Sequence, residues 1–135
     1  MSEPGRRLES TASAFGDLGS LRPLRIWKDV TARVVQSELI TMSVVELPPG
    51  GHVPEHRHVN EQLGLCLMGS LTFRVGAETG EVGPGGTWRI LADVPHEVRA
   101  GAGGAVVVEV FSPVRDDWAG LEEAPDVPPR WPAAT

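Results

Sequence analysis

Tyrosine is absent from this 135-residue chain, cysteine and lysine occur once each, and aromatic residues make up only 5% of it. The single thiol, Cys66, forbids an internal disulfide and any cysteine-rich zinc module. Lys28 is followed by Asp29, so no Gly-Lys-Ser/Thr phosphate loop exists, and Lys28 is the sole candidate for a Schiff base. The remaining basic residues are eleven dispersed arginines in a chain of net charge -6. Binding phosphates needs a basic stripe, so nucleic acid is not expected as a partner. No apolar run approaches the ~20 residues of a membrane span, and the N-terminus lacks the apolar core of a signal peptide. The expectation is a cytoplasmic protein with neither membrane nor nucleic acid as partner, acting on a small molecule.

What is abundant is glycine and proline, 16 and 12 residues. Neither is tolerated inside helices, so a helical bundle is excluded and a turn-rich all-β domain is expected. Apolar residues, at 41%, suffice for one core. Residues 1–20 are polar and aperiodic and read as a flexible tail, 21–118 as one β-barrel, and 119–135 as a short helical turn with a Pro-rich tail. Strands are expected at 24–27, 31–36, 39–47, 53–58, 61–67, 71–75, 87–91, 96–99 and 105–111, with turns at 48–51, 68–70 and 83–86. The run 39–47 is mostly apolar and reads as buried on both faces. At 71–75, Leu71, Phe73 and Val75 alternate with Thr72 and Arg74, the period of a half-buried strand. A helical turn is expected within 116–124.

The four histidines are His52, His56, His58 and His96. Alternate strand residues face the same way ~7 Å apart, so His56 and His58 can converge on one ion. After a bend at Val59-Asn60, either Glu61 or Gln62 can return an oxygen to it. Imidazole suits a divalent first-row metal, whether Zn, Ni, Fe or Mn, and spacing does not choose among them. His52 lies ~13 Å from His56 along an extended chain and reads as structural or at the pocket rim. Cys66 reads as a small core residue.

The segment Gly50, five residues, His56, Arg57, His58, three residues, Gln62, six residues, Gly69 resembles the first motif of the cupins, with Gln62 in place of the family's glutamate. A looser second motif follows in the Gly85-Gly86 turn and Pro95-His96. There Leu91 and Asp93 replace the usual Pro and Gly, and Ala100 the usual Asn. The resemblance spans roughly residues 24 to 115. It implies a single-domain jelly-roll barrel of two antiparallel sheets and, by family habit, a homodimer. By position the metal ligands would be His56, His58, Gln62 and His96.

The ending Glu109-Val110-Phe111-Ser112-Pro113-Val114-Arg115 is similar to that of cupins that tautomerise unsaturated uronates, at a spacing one residue shorter and with Glu in place of Asp. The Glu61-Gln62 pair and the Gly/Pro turns also resemble cupin-type polyketide cyclases. The resemblance implies Glu109 as a catalytic acid–base group, with Phe111 and Arg115 binding substrate. Val107, Glu109 and Phe111 share one strand face, and a carboxylate among valines is costly unless it is exposed or employed. Both placements of Glu109, outer and inner, stay open at this level. Three imidazoles and a neutral amide would leave an ion its full positive charge, which favours polarising a carbonyl over activating dioxygen. The expected activity is therefore non-redox: an isomerase or tautomerase, a cyclase, or a lyase. An iron dioxygenase and a non-catalytic binder are the alternatives. Gly64 stands where cupin lyases of dimethylsulfoniopropionate carry a tyrosine, which argues against that chemistry.

Overall fold

The computed structural model describes residues 13–132. It contains eight strands: β1 (Leu24–Trp27), β2 (Val30–Gln36), β3 (Thr41–Leu47), β4 (His52–His56), β5 (Glu61–Val75), β6 (Glu78–Val82), β7 (Thr87–Ile90) and β8 (His96–Ser112). All pairings are antiparallel. Short 3-10 turns occupy Leu18–Ser20 and Asp116–Trp118. No helix among the described residues is long and apolar enough to cross a membrane.

Two long strands make the barrel. The C-terminal half of β8 lies between β3 and the N-terminal half of β5, which also pairs with β7. The N-terminal half of β8 lies between β4 and the C-terminal half of β5, which also pairs with β6. β5 and β8 therefore pass from one sheet to the other, and the core lies between the sheets around Leu47, Phe73, Trp88, Ile90, Val98 and Val107. β5 passes the corner through register shifts at Cys66/Met68 and Gly69/Leu71. Gly69 has φ +82°, and a Cβ there would stand 2.0 Å from the Gly104 carbonyl oxygen of β8. Only glycine permits that approach.

This corner corrects two expectations. Residues 68–70 are a bulged bend inside one strand rather than a turn between two, and the glycines at 101–104 lie within β8. Glycines that break a strand and glycines that bend one look alike in sequence. β6 had no counterpart in the reading, because Glu78, Gly80 and Glu81 lack an apolar alternation; it is an exposed edge strand. β3 is not buried on both faces, since Met42 is 43% exposed. The tail expected at 1–20 falls largely outside the described residues; its described end contributes the first 3-10 turn. The helical turn at 116–118 lies where expected, at the start of its window.

Candidate metal centre

β4 ends at His56, His58 sits in the bend that follows, and His96 opens β8 opposite His56. The ligand atoms of these three histidines all lie within 4.8 Å of one another. Each ring is oriented by the main chain two residues away. Nδ1 of His56 donates to the Pro54 carbonyl at 2.8 Å, that of His58 to Asn60 at 2.9 Å, and that of His96 to Val94 at 2.8 Å. A carbonyl oxygen only accepts, so each Nδ1 carries the proton and each Nε2 presents a lone pair. Burial holds all three imidazoles neutral, the His96 pKa being pushed down to about 4, and the nearby Arg115 guanidinium acts in the same direction. Neutral imidazole is the ligating form. His96 is 2% exposed, and its Nε2 is buried without a hydrogen-bond partner. A cation is the partner that such an atom fits.

Gln62 adds the decisive contact. Its Oε1 lies 3.1 Å from His58 Nε2. With Nδ1 protonated, both of these atoms are acceptors, and they repel unless a cation lies between or beside them. A rotated amide would relieve the clash, but the Gln62 NH2 already donates to the Glu109 carboxylate. The separation is close to the ~3 Å between neighbouring ligand atoms that each stand ~2.1 Å from a shared ion. The residues therefore fit a metal. Burial also resolves the parity left open by the bend: Gln62 is buried and Glu61 exposed.

Glu109 faces the cavity, on the same strand face as Val107 and Phe111. It keeps some accessible surface because it lines the void, while its carboxylate lies deep in the barrel, and burial pushes its pKa up. Two donors oppose that shift at Oε2: the Gln62 amide and the Trp88 indole, the latter at 2.9 Å. Oε1 has no donor among the described residues. Cross-strand register explains how Trp88 reaches so far. Glu109 pairs with Gly64, and Gly64 pairs with Trp88, so the indole must cross an intervening strand. The glycine makes this possible, because a Cβ at position 64 would lie 2.0 Å from the Trp88 ring.

Gly64→Ala is accordingly expected to displace the indole and unhook Glu109. Overpacking costs ~1–3 kcal/mol, and a lost hydrogen bond to a charged group ~1.5–3 kcal/mol. The denaturant midpoint should fall and the tryptophan emission should shift; an unchanged midpoint would refute the contact. The sequence reading missed Trp88. A glycine inside a strand often marks close approach of another group, and that signal was available at position 64.

Arg115 is buried against aromatic faces, its guanidinium 4.7 Å from the Phe111 ring centre and 4.3 Å from that of Trp118. Asp117 grips its Nε and one terminal nitrogen at 3.0 and 2.9 Å, leaving the other terminal nitrogen without a partner among the described residues. Asn60, also missed, is 4% exposed and ties the bend after His58 to the Pro113 and Val114 carbonyls at 2.6 and 3.1 Å. His52 stands apart from the cluster, paired with Glu97 at 2.5 Å, and Arg74 joins Glu97 to Glu55. Cys66 is buried, with its thiol pKa raised by that burial.

The comparisons agree with this fold. The family model described as Cupin domain matches residues 43–111. An RmlC-like cupin from Shewanella frigidimarina superposes with a TM-score of 0.73 at 16% identity, covering 78% of this chain and 96% of that one. KdgF from Halomonas sp. gives 0.72 at 19% identity, covering 78% and 98%. Oxalate decarboxylase from Bacillus subtilis gives 0.68 at 22% identity, covering 79% of this chain and 31% of that one. At these identities the likeness is one of fold. No match was found among curated proteins.

Proposed function

The chain belongs to the cupin family, and from that premise we propose that it is a metal-dependent enzyme acting without redox chemistry on a small carbonyl- or carboxylate-bearing molecule. The observation that carries this reading is the pair of facing acceptors, His58 Nε2 and Gln62 Oε1, tied through the Gln62 amide to a buried carboxylate. His56, His58, His96 and the Gln62 oxygen would hold one divalent transition metal. When bound, the ion supplies positive charge that polarises a substrate oxygen.

Everything else falls to the chain's own side chains. Glu109 moves a proton at Oε1, the oxygen its two donors leave free; burial raises its proton affinity toward the working pH, as a general acid–base group requires. Trp88 and Gln62 fix its rotamer. Arg115 offers its free nitrogen to an anionic group, its orientation set by Asp117 and the two rings. Phe111 and neighbouring aliphatic side chains wall the site and exclude water.

The void is about 40 Å³. At ~10–15 Å³ for one water-sized sphere, only a small fragment of a substrate enters it. Its deeper walls, among them Leu47, Val53, Leu71 and Val98, would leave sugar hydroxyls unpaired. These features favour the head of a short oxo acid over a polyhydroxylated uronate.

The test is solvent-deuterium exchange, followed by NMR under anaerobic conditions with metal-loaded protein. Short 2-oxo acids, unsaturated uronates and aromatic polyketides form the panel. Exchange or conversion without oxygen, strongest for a short oxo acid, is the expected result. Turnover only with oxygen would assign a dioxygenase, and binding without exchange a non-catalytic role.

A further inference from the structure

Ile26 and Trp27 are neighbours on β1, yet both line the void. Strand alternation would turn them to opposite faces. A register shift between Arg25 and Trp27 breaks the alternation, a bulge of the kind that re-aims a side chain. β1 is the edge strand of one sheet and pairs with β2, while β4 lies at the edge of the other and pairs with β8. The C-terminal segment covers the free edge of β1 only at its start. Leu24 bridges Glu123, and the Arg25 amide donates to the Glu122 carbonyl at 2.8 Å. At Trp27, the seam between β1 and β4 is closed by a side chain instead of a ladder. The indole meets His56 of β4 there, ring centres 5.2 Å apart and planes tilted by 53°. The same indole also lines an outer cleft of about 370 Å³, together with Pro48, Pro49, Gly51, His52 and Pro54. Trp27 is 36% exposed, so one side of the ring belongs to the void and the other to this cleft.

We propose that Trp27 is the specificity-determining partition of the site: one indole that keeps substrates short by separating the void beside the histidines from the outer cleft. The assignment deepens, and rests on, the reading of the void as the place where a short oxo acid binds. A rigid ring refuses an added methylene by clash, which discriminates more sharply than the loss of a contact. Without the ring, the void of about 40 Å³ would run into the larger cleft. The prolines of that cleft would offer an aliphatic or aromatic extension an apolar bed. Each buried methylene is then worth about fourfold in affinity, from ~0.8 kcal/mol. Because the residue sits on an edge strand and is partly exposed, removing its ring leaves the central ladders of the barrel in place.

Cobalt(II)-loaded protein reports bound ligands through its visible spectrum, with no turnover required. Imidazole and 4-phenylimidazole probe the room beside the histidines, and pyruvate and 2-oxooctanoate probe the substrate class. The unaltered protein is expected to bind the smaller member of each pair at least tenfold more tightly. In Trp27→Ala both preferences should vanish or reverse, with cobalt stoichiometry and the β-type circular dichroism spectrum unchanged. Trp27→Phe, which keeps a smaller ring, should restore them in part. Discrimination between the imidazoles with no oxo acid bound would uphold the partition and remove only the oxo-acid reading. Equal binding of the two imidazoles by the unaltered protein would overturn the partition. So would a preference that persists undiminished in folded, cobalt-loaded Trp27→Ala. Should Trp27→Ala fail to fold, the imidazole pair still decides, through the unaltered protein and the weaker preference expected of Trp27→Phe.

Discussion

His96→Ala is expected to lower metal content from near one equivalent per chain to a small fraction of it, in a barrel that still folds. Even groups that only orient a ligand contribute ~10–100-fold to metal affinity, so loss of a buried ligand should cost at least the upper figure. Elemental analysis of protein purified without added metal checks the stoichiometry, and calorimetric titration of the metal-free protein checks the affinity. Metal retained at full stoichiometry would remove this cluster as the binding site.

The same residue carries a pH signature in the metal-free protein. Its folded pKa is about 4 against 6.5 for a free imidazole, so between those values the unfolded chain binds more protons than the folded one. Stability therefore falls as pH drops from 6.5 toward 4, and His96 accounts for up to ~3 kcal/mol of the loss. His56 and His58 act in the same direction. Thermal melts across that window should show the slope, and the slope should diminish in His96→Ala. Bound metal should suppress it further, because a ligated imidazole does not take a proton.

Glu109→Gln is expected to reduce turnover ~10²–10⁴-fold while metal content stays unchanged, that being the usual contribution of a general acid–base group. The substitution keeps the shape of the site. A glutamine oxygen can still accept from the Trp88 indole and the Gln62 amide, so Gln62 stays oriented toward the histidines. What is lost is the proton-carrying oxygen. The readout is the rate of solvent-deuterium exchange on the substrate found in the anaerobic panel, together with its pH profile, whose limb from Glu109 should disappear. Normal exchange in this variant would move the proton step to another group. His52 would not be that group, since it is held by Glu97 away from the histidine cluster.

Much of this molecule was legible in the chain itself. The scarcity of helix-compatible stretches set an all-β class, and the motif from Gly50 to Gly69 put His56, His58 and Gln62 on one short segment, where the structure brings the two histidines together with His96. Such information survives in sequence because it is local. A histidine pair two residues apart stays close along the chain, although β4 ends at His56 and it is the bend that turns His58 toward it, and the turn chemistry of Pro48-Pro49-Gly50-Gly51 stops β3 whatever lies beside it.

What only the tertiary structure decided depends on which strand lies next to which. Gln62 rather than Glu61 faces the histidines because the bend at Asn60, anchored to the loop after β8, sets the phase of β5. Glu109 lies inside rather than outside because β8 continues through its glycines into the second sheet, and its burial then depends on a tryptophan two strands away, reached across Gly64. Val35, Met42, Val110 and Leu63 are far apart along the chain and become one apolar row only through pairing register. An apolar strand residue reads the same in sequence whether it fills a core or faces outward. Side-chain alternation tells the two faces of a strand apart, but only the packing of the second sheet decides which of them becomes the inside.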